Sequence, residues 1–304
     1  MMKVDTLSLQ LMNTEFYIAI PKGKGTTWKE QAEKWLRYVA TEWSRFQKNN
    51  ELSQVNDLKL GETLRINAAL YECLYRANDY YLRSNGVFSP YLKLQLEQQG
   101  YNQSFPFNVS DHSVECVSKV FEKPFLFLNN QHVMKVANQE IDLGGFAKGF
   151  AIERLADWLE KEVAPEYGII DGGGDLKVWS TGEKTWTIGI ADPLDVEKEI
   201  SYINITNGAM ATSNRVYRSW TKNNSQKHHL LNGRTGEVAT TDVLQATVIT
   251  TSLCDAEVGA KLCFLLDEHE QQQWFETYCT RNARFIVKEG QESKWKMSGG
   301  ERTC

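Results

Sequence analysis

A glycine-rich segment that leads directly into a helix is the feature that most constrains this fold. Residues 141–150 read Ile-Asp-Leu-Gly-Gly-Phe-Ala-Lys-Gly-Phe, and the apolar residues that follow recur at helical spacing. Asp142 stands where a short carboxylate caps backbone N–H groups. Gly144 and Gly145 permit close approach to the backbone, and Lys148 adds a cation. The segment is typical of a phosphate site at a helix N-terminus, with a capped strand-to-helix turn as the alternative.

A second glycine cluster follows one helix later. Residues 170–175 read Ile-Asp-Gly-Gly-Gly-Asp, after an apolar run that predicts a buried strand. Three consecutive glycines lose more conformational entropy than an ordinary turn requires. Gly173, Gly174 and Asp175 are therefore candidates for ligand contact, and a tight structural turn is the alternative. Two such clusters joined by one helix indicate two loops that meet at one ligand.

Eight short segments occur in an order that a known family shares. They are residues 50–56, 86–90, 142–150, 173–175, 189–193, 211–213, 229–236 and 254–256. By these motifs the chain resembles the ApbE-type FAD:protein FMN transferases, over roughly residues 42 to 266. The resemblance implies an α+β fold, with residues 1–304 forming a single compact domain of antiparallel sheets and packed helices. The irregular alternation of predicted strands and helices also favours the α+β class.

The resemblance implies a reaction and the residues that carry it. FAD is the substrate, its FMN half moves to a threonine or serine hydroxyl of an acceptor protein, and AMP leaves. A family aspartate, a hydroxyl one turn later and a backbone carbonyl bind Mg²⁺, and these positions imply Asp255 and Ala147 as metal ligands. His229 and Asp255 are the implied catalytic residues. The predicted FAD contacts are Asp142, Gly144, Gly145, Lys148, Gly173, Gly174, Asp175, Thr212, Ser213 and His229.

Two departures from the family pattern leave alternatives open. Ser89 replaces the aspartate of a Gly-x-Phe-Asp-Pro motif, and Gly259 stands where the resemblance implies the hydroxyl ligand. A water could fill that vacancy, because Mg²⁺ readily keeps waters. Thr251, Ser252 or Glu257 could also contribute an oxygen. The first alternative function is a FAD-binding protein with little or no transferase activity. The second is a FAD pyrophosphatase that gives FMN and AMP.

Individual site residues also have structural interpretations. Asp255 could be only a helix cap, and His229 only a hydrogen-bonded residue of a strand over residues 229–231. His228 is expected on the opposite strand face, exposed to solvent. Elsewhere in the chain, alternating apolar residues between Leu7 and Ile20 predict a hairpin. Thr27 and Glu30 predict a capping box before a helix whose buried stripe extends from Trp28 to Phe46. Asn67 is expected to cap a second helix, a last helix is expected near residues 253–266, and residues 284–288 predict the final strand.

Charge, hydropathy and cysteine usage limit the classes of partner and the cellular compartment that we expect for this chain. The net charge of −5 argues against a nucleic-acid surface, and no apolar run reaches membrane-spanning length. The N-terminus lacks the apolar region of a signal peptide. Six cysteines without CxxC spacing fit reduced thiols in a cytoplasmic protein rather than a zinc site. They are Cys73, Cys116, Cys254, Cys263, Cys279 and Cys304.

Overall fold

The computed structural model describes residues 3–107, 123–291, 293–297 and 300–302. The helices are α1 (Thr27–Glu42), α2 (Glu51–Asn56), α3 (Ala68–Arg83), α4 (Lys93–Gln98), α5 (Ala147–Trp158), α6 (Leu253–Leu265) and α7 (Glu268–Tyr278). The strands before α5 are β1 (Val4–Leu11), β2 (Thr14–Pro21), β3 (Thr63–Arg65), β4 (Phe125–Leu128) and β5 (His132–Lys135). Those after α5 are β6 (Tyr167–Asp171), β7 (Asp175–Ser180), β8 (Trp186–Ala191), β9 (Glu199–Ile205), β10 (Gly208–Asn214), β11 (Ser219–Lys222), β12 (Ser225–His228), β13 (Val243–Thr250), β14 (Ala283–Lys288), β15 (Lys294–Met297) and β16 (Gly300–Arg302).

A nine-stranded antiparallel sheet organises the structure. Its strand order is β1-β2-β6-β7-β10-β13-β14-β15-β16, and every neighbouring pair is antiparallel. Smaller sheets pair β3, β5 and β4, β11 with β12, and β8 with β9. This arrangement of antiparallel sheets with packed helices confirms the predicted α+β class.

Two central helices connect the sheet to the candidate site. Helix α6 packs on β10 and β13, and α5 packs on α6, β6 and β7. The large apolar side chains of α5, including Phe150 and Ile152, are fully buried in the main core. Helix α5 begins at Ala147, within the first glycine-rich segment, so the packed helix fixes the position of the loop that precedes it.

Several element predictions are confirmed. The N-terminal alternation forms the β1–β2 hairpin, whose turn residues Met12 and Asn13 both have positive φ. Asn67 caps α3, with its side chain accepting a hydrogen bond from Ala69 N. The predicted helix from Leu253 is α6.

Other element predictions are wrong. Thr26, without a side-chain bond, occupies the N-cap of α1, so Thr27 forms no capping box. No strand covers residues 229–231, where the described backbone makes only an isolated bridge between Leu231 and Val238. The predicted final strand is β14, but α7 precedes it and β15 and β16 follow. His228 is buried rather than exposed, and its Nε2 lies 3.1 Å from the Ala239 carbonyl.

The described cysteines fit the predicted reduced state. Cys73, Cys254, Cys263 and Cys279 are free and buried, while Cys116 and Cys304 lie outside the described residues. Within the described chain, no helix is both long and apolar enough to cross a membrane.

Candidate functional site

A cavity of about 230 Å³ opens beside the start of α5. The first glycine-rich loop forms one wall, contributing Asp142, Gly144, Gly145, Ala147 and Lys148. An apolar and aromatic wall lies around it, with Trp43, Phe46, Phe88, Leu92, Leu96 and Tyr101. Among the described lining residues the cations are Arg45, Lys148, Arg218 and Lys261, and Asp142 is the one carboxylate. A flat apolar wall beside excess positive charge suits an aromatic ligand that carries an anion.

Asp142 holds the loop through a buried ion pair. Its Oδ2 lies 2.6 Å from Arg45 Nε, and the side chains are only 11% and 4% exposed. The other oxygen accepts a hydrogen bond from Gly144 N at 2.9 Å. Asp142 therefore stabilises the glycine turn and does not cap α5, whose N-cap is Phe146.

Arg45 is a site residue that the sequence analysis missed. Its guanidinium lies 4.4 Å from the ring centroids of both Phe46 and Tyr101, and it donates to the Tyr101 carbonyl. Its remaining nitrogen, Nη2, is buried without a hydrogen-bond partner among the described residues. A buried donor without a partner in a cavity is suited to an anionic oxygen.

Lys148 connects the two glycine clusters. Its Nζ donates to the Gly172 carbonyl and pairs with Asp175 Oδ2, both at 2.7 Å. The two loops thus meet at this lysine, whereas the prediction places their meeting at one ligand. Only the first loop, however, lines the cavity.

The second cluster is a tight turn between β6 and β7. Gly173 and Gly174 have φ values of +71° and +93°, so both require glycine's conformational freedom. A Cβ on Gly173 would lie 1.9 Å from Thr14 Oγ1, which shows that the β1–β2 turn covers this glycine. Asp171 accepts a hydrogen bond from Gly174 N, which closes the turn.

Thr212 and Ser213 lie within β10 rather than after a strand. The Thr212 hydroxyl is 2.9 Å from that of Thr247 on β13, and Thr212 N donates to the Gly174 carbonyl. Ser213 is buried. Neither residue is part of the cavity lining, and they lie instead behind the second glycine turn.

His229 lines the cavity in a protonation state suited to a base. Burial, and then the positive charges of Arg218 and Lys261, lower the pKa of His229 from 6.5 to about 3. The ring is therefore neutral near pH 7. Its Nδ1 is buried and has no hydrogen-bond partner in the described part of the chain. His229 is the one predicted catalytic residue that the structure brings into the cavity.

The lowered pKa of His229 predicts a pH dependence of stability. Between pH 6.5 and about 3 the unfolded chain binds a proton that the folded chain does not, so stability falls as the pH falls through this window. We expect the free energy of unfolding to drop by roughly 1–2 kcal/mol more in the wild type than in His229→Gln between pH 7 and pH 5. Urea unfolding of both proteins at the two pH values measures this, and parallel losses would contradict the shift.

Helix α6 presents a different face to the cavity than its motif predicts. Asp255 lies outside the lining and accepts a hydrogen bond from the Tyr80 hydroxyl at 2.7 Å, and burial raises its pKa. Gly259 shares that face, and a Cβ there would lie 2.8 Å from the Phe275 ring of α7. The expectation that a metal-bound water fills the space beside Gly259 is therefore wrong, because the Phe275 ring of α7 occupies that space.

Glu257 and Lys261 occupy the face that turns toward the glycine loop. Residues two apart on a helix differ by about 200° in direction, so this pair lies opposite Asp255 and Gly259. Glu257 Oε2 accepts a hydrogen bond from Gly149 N at 3.1 Å. Lys261 lines the cavity and pairs with Glu257 Oε1 at 3.4 Å. Lys261 was not predicted, and Glu257 was considered only as a possible additional metal ligand, because the motif was assigned two positions earlier.

The residues present do not fit the Mg²⁺ site that the resemblance implies. Ala147 lines the cavity but Asp255 does not, so the two predicted ligands are not brought together there. The carboxylate nearest the loop, Glu257, is already engaged by Lys261 and Gly149. Among the described residues, no group of three or more histidine, cysteine, aspartate or glutamate side chains is arranged to hold a metal ion.

Ser89, which departs from the family pattern, packs against Gly233. A Cβ on Gly233 would lie 2.6 Å from Ser89 Cβ and 2.2 Å from the Gly86 carbonyl oxygen. Gly233 N also donates to the Val87 carbonyl. The glycine thus allows two motif segments to meet at the cavity edge, where Ser89 is a lining residue.

Comparison with known proteins places these features in a family. A model of the ApbE family matches residues 12–285, most of the chain. The FAD:protein FMN transferase of Treponema pallidum is 24% identical over 220 residues, covering 66% of this chain and 60% of that protein. One from Klebsiella pneumoniae is 32% identical over 126 residues, or 41% of this chain and 38% of that protein. The aligned region thus spans less than two thirds of either relative.

Solved structures share the fold over nearly the whole chain. The ApbE protein from Thermotoga maritima has a TM-score of 0.82 at 23% identity, covering 99% of this chain and 100% of that one. The flavin transferase ApbE from Vibrio cholerae has a TM-score of 0.76 at 19% identity, covering 98% and 97%. At these identities the likeness is one of fold.

Proposed function

The chain belongs to the ApbE family, and on this basis we propose that it transfers FMN from FAD to an acceptor protein. The acceptor supplies a threonine or serine hydroxyl, and AMP is released. The observation that carries the proposal is the position of His229, which lines the cavity with Arg218 and Lys261 and whose buried Nδ1 has no hydrogen-bond partner among the described residues. A neutral base beside two cations suits the attack of a hydroxyl on a pyrophosphate.

The cavity's two kinds of wall support FAD as the ligand. The aromatic wall, with Phe46, Phe88 and Tyr101, offers flat apolar surface to the isoalloxazine or adenine ring. The glycine loop and the lining cations offer positive charge to the pyrophosphate. Arg45 contributes a buried donor with no partner among the described residues, so a phosphate oxygen would complete its hydrogen bonds.

The chain's own residues can supply the base and the positive charge that the proposed transfer needs. His229 accepts the proton of the acceptor hydroxyl as that oxygen bonds to the phosphorus of the FMN phosphate. The bond from this phosphorus to the bridging oxygen breaks, and the bridging oxygen leaves on AMP. Arg218 and Lys261 attract the charge that develops on the phosphate oxygens. The negative pyrophosphate also opposes the effect of these cations on His229 and raises the pKa of the imidazole toward its usual range.

Mg²⁺ dependence stays a prediction of the resemblance alone. When bound, a divalent cation would neutralise the pyrophosphate charge. The residues of this cavity favour a positive charge from the chain itself. The predicted roles of Asp255, Ala147, Thr212 and Ser213 likewise stay predictions. Ala147 lines the cavity, whereas the other three residues lie outside its lining, which favours structural roles for them.

Incubation with FAD tests the proposed transfer. The purified protein is mixed with FAD and a panel of candidate acceptor domains, and AMP and covalently bound flavin are measured together. Equal amounts of AMP and flavinylated acceptor support the transferase. AMP and free FMN without an acceptor would favour the pyrophosphatase, and FAD binding without either product would favour the binding protein.

Two broader assignments accompany this function. We propose that residues 1–304 form one domain, supported by a main core that draws side chains from β2 through α7. We also propose a cytoplasmic location, supported by four described cysteines that are free and buried.

A further inference from the structure

We propose that the ammonium group of Lys261 is the resident cation for the FAD pyrophosphate in this protein, in the role that the family resemblance gives to Mg²⁺. This inference rests on the proposed function, since it names the charge that the same site uses. Its consequence is that FAD binds, and reacts, without a divalent cation.

The position of Lys261 on α6 is the first support. The resemblance implies a carboxylate and, four residues later, a hydroxyl that together hold the metal. On the face of α6 that turns toward the glycine loop, the residues four apart are Glu257 and Lys261. A carboxylate is thus present, but its partner position carries a side chain that is itself a cation. An ammonium group donates hydrogen bonds and cannot bind a metal ion.

The pairing of Glu257 is the second support. Glu257 is buried, and its two oxygens are divided between Gly149 N and the Lys261 ammonium. Lys261 Nζ also donates to the Glu257 carbonyl at 3.2 Å. A buried carboxylate needs such partners to remain charged, and here the lysine supplies the compensating charge. A divalent cation at Glu257 would have to displace this internal one.

The surroundings of the ammonium group are the third support. The lysine side chain crosses the glycine loop so closely that a Cβ on Gly145 would lie 2.9 Å from its Cε and 3.9 Å from its Nζ. The side chain is 13% exposed, so its charge is only weakly screened by solvent. Its charge also acts on His229, the proposed base. The ammonium therefore lies where the loop, the base and a bound phosphate would meet.

Binding measurements on the whole protein test this without depending on turnover. The affinities for FAD, ADP and riboflavin are measured by calorimetry, in EDTA and in excess MgCl₂. FAD and ADP carry the pyrophosphate, and riboflavin lacks it. We expect FAD and ADP affinities in EDTA to lie within about twofold of those in MgCl₂, because the cation at the pyrophosphate belongs to the chain itself.

Paired variants isolate the ammonium group. Lys261→Met alone would leave Glu257 buried without its partner, so the test compares Glu257→Gln with the double variant Glu257→Gln/Lys261→Met. The two proteins differ only in the cation. The double variant is expected to bind FAD and ADP about tenfold or more weakly than Glu257→Gln, with riboflavin affinity unchanged. Lys161→Met, at a side chain that is 82% exposed, is the control for loss of a lysine charge elsewhere.

The outcomes separate this inference from the proposed function. A fall of tenfold or more in wild-type FAD affinity in EDTA overturns the inference, as does equal FAD affinity of the two Glu257→Gln proteins. Either result leaves FMN transfer standing. Mg²⁺-independent FAD binding with no AMP formed in the presence of any acceptor supports the lysine's role and counts against transfer. If neither FAD nor ADP binds under either condition, both proposals fail.

Discussion

Replacing His229 with alanine is expected to lower the rate of FMN transfer by about 10²–10⁴-fold, the usual contribution of a positioned base. The neutral imidazole lines the cavity and its Nδ1 has no hydrogen-bond partner among the described residues, so its loss removes the group proposed to take the hydroxyl proton. FAD affinity is expected to change far less, because Arg45, Lys148, Arg218 and Lys261 retain the positive charge of the cavity.

The measurement follows AMP release and covalent flavin on the acceptor in single-turnover reactions. His269→Ala is the matched control, because this histidine lies exposed on α7, outside the cavity lining. A rate for His229→Ala within a few-fold of the wild type would show that His229 is not the base. Near-complete loss of FAD binding in this variant would instead assign the ring a binding role.

The first glycine loop and its helix could be predicted because their signals are local. Helical spacing of apolar residues located α5, and the glycines before it located the cavity wall. The second cluster gave the same local signal and a different outcome. Its glycines adopt the positive φ values of a tight turn. Thr14, some 160 residues earlier in the chain, packs over this turn. Whether a glycine faces a ligand or another segment is a tertiary property.

The face of α6 that turns toward the cavity could not be predicted from the sequence. The resemblance of residues 254–256 to a family motif selected Asp255. Residues two apart lie on nearly opposite faces of a helix, so this choice selected the wrong face of α6 for the cavity. Only the packing of Phe275 against Gly259 and of Tyr80 against Asp255 determines the orientation. Since α6 is apolar on most sides, with ten buried residues, its hydrophobic pattern could not select a face.

Arg45 was missed for a related reason. Its partner Asp142 lies almost a hundred residues away, so no spacing rule connects them. The segment after α1 is short and irregular, and Phe46, expected to continue the buried stripe of α1, is exposed and packs on the guanidinium instead. Long-range ion pairs of this kind are set by the fold and appear only when it is known.

The Arg45–Asp142 pair predicts the largest effect on stability. Asp142→Ala is expected to lower the free energy of unfolding by about 3–5 kcal/mol, because it leaves a buried guanidinium without its counter-charge. The Arg45 side chain is 4% exposed and cannot turn to solvent without giving up its contacts with Phe46 and Tyr101. Asp142→Asn is expected to lose less, since its amide oxygen can still accept from Gly144 N.

Urea unfolding at pH 7 measures these differences, with Glu33→Ala as the matched control. Glu33 pairs with Arg37 at 2.7 Å on the surface of α1, where the side chains are 40% and 57% exposed. Breaking that pair is expected to cost no more than about 0.5 kcal/mol, because water replaces the lost partner. Similar losses for Asp142→Ala and Glu33→Ala would mean that solvent reaches Arg45. The part of the cavity wall around Arg45 would then not be the dry, positively charged surface on which the proposed pyrophosphate contacts depend.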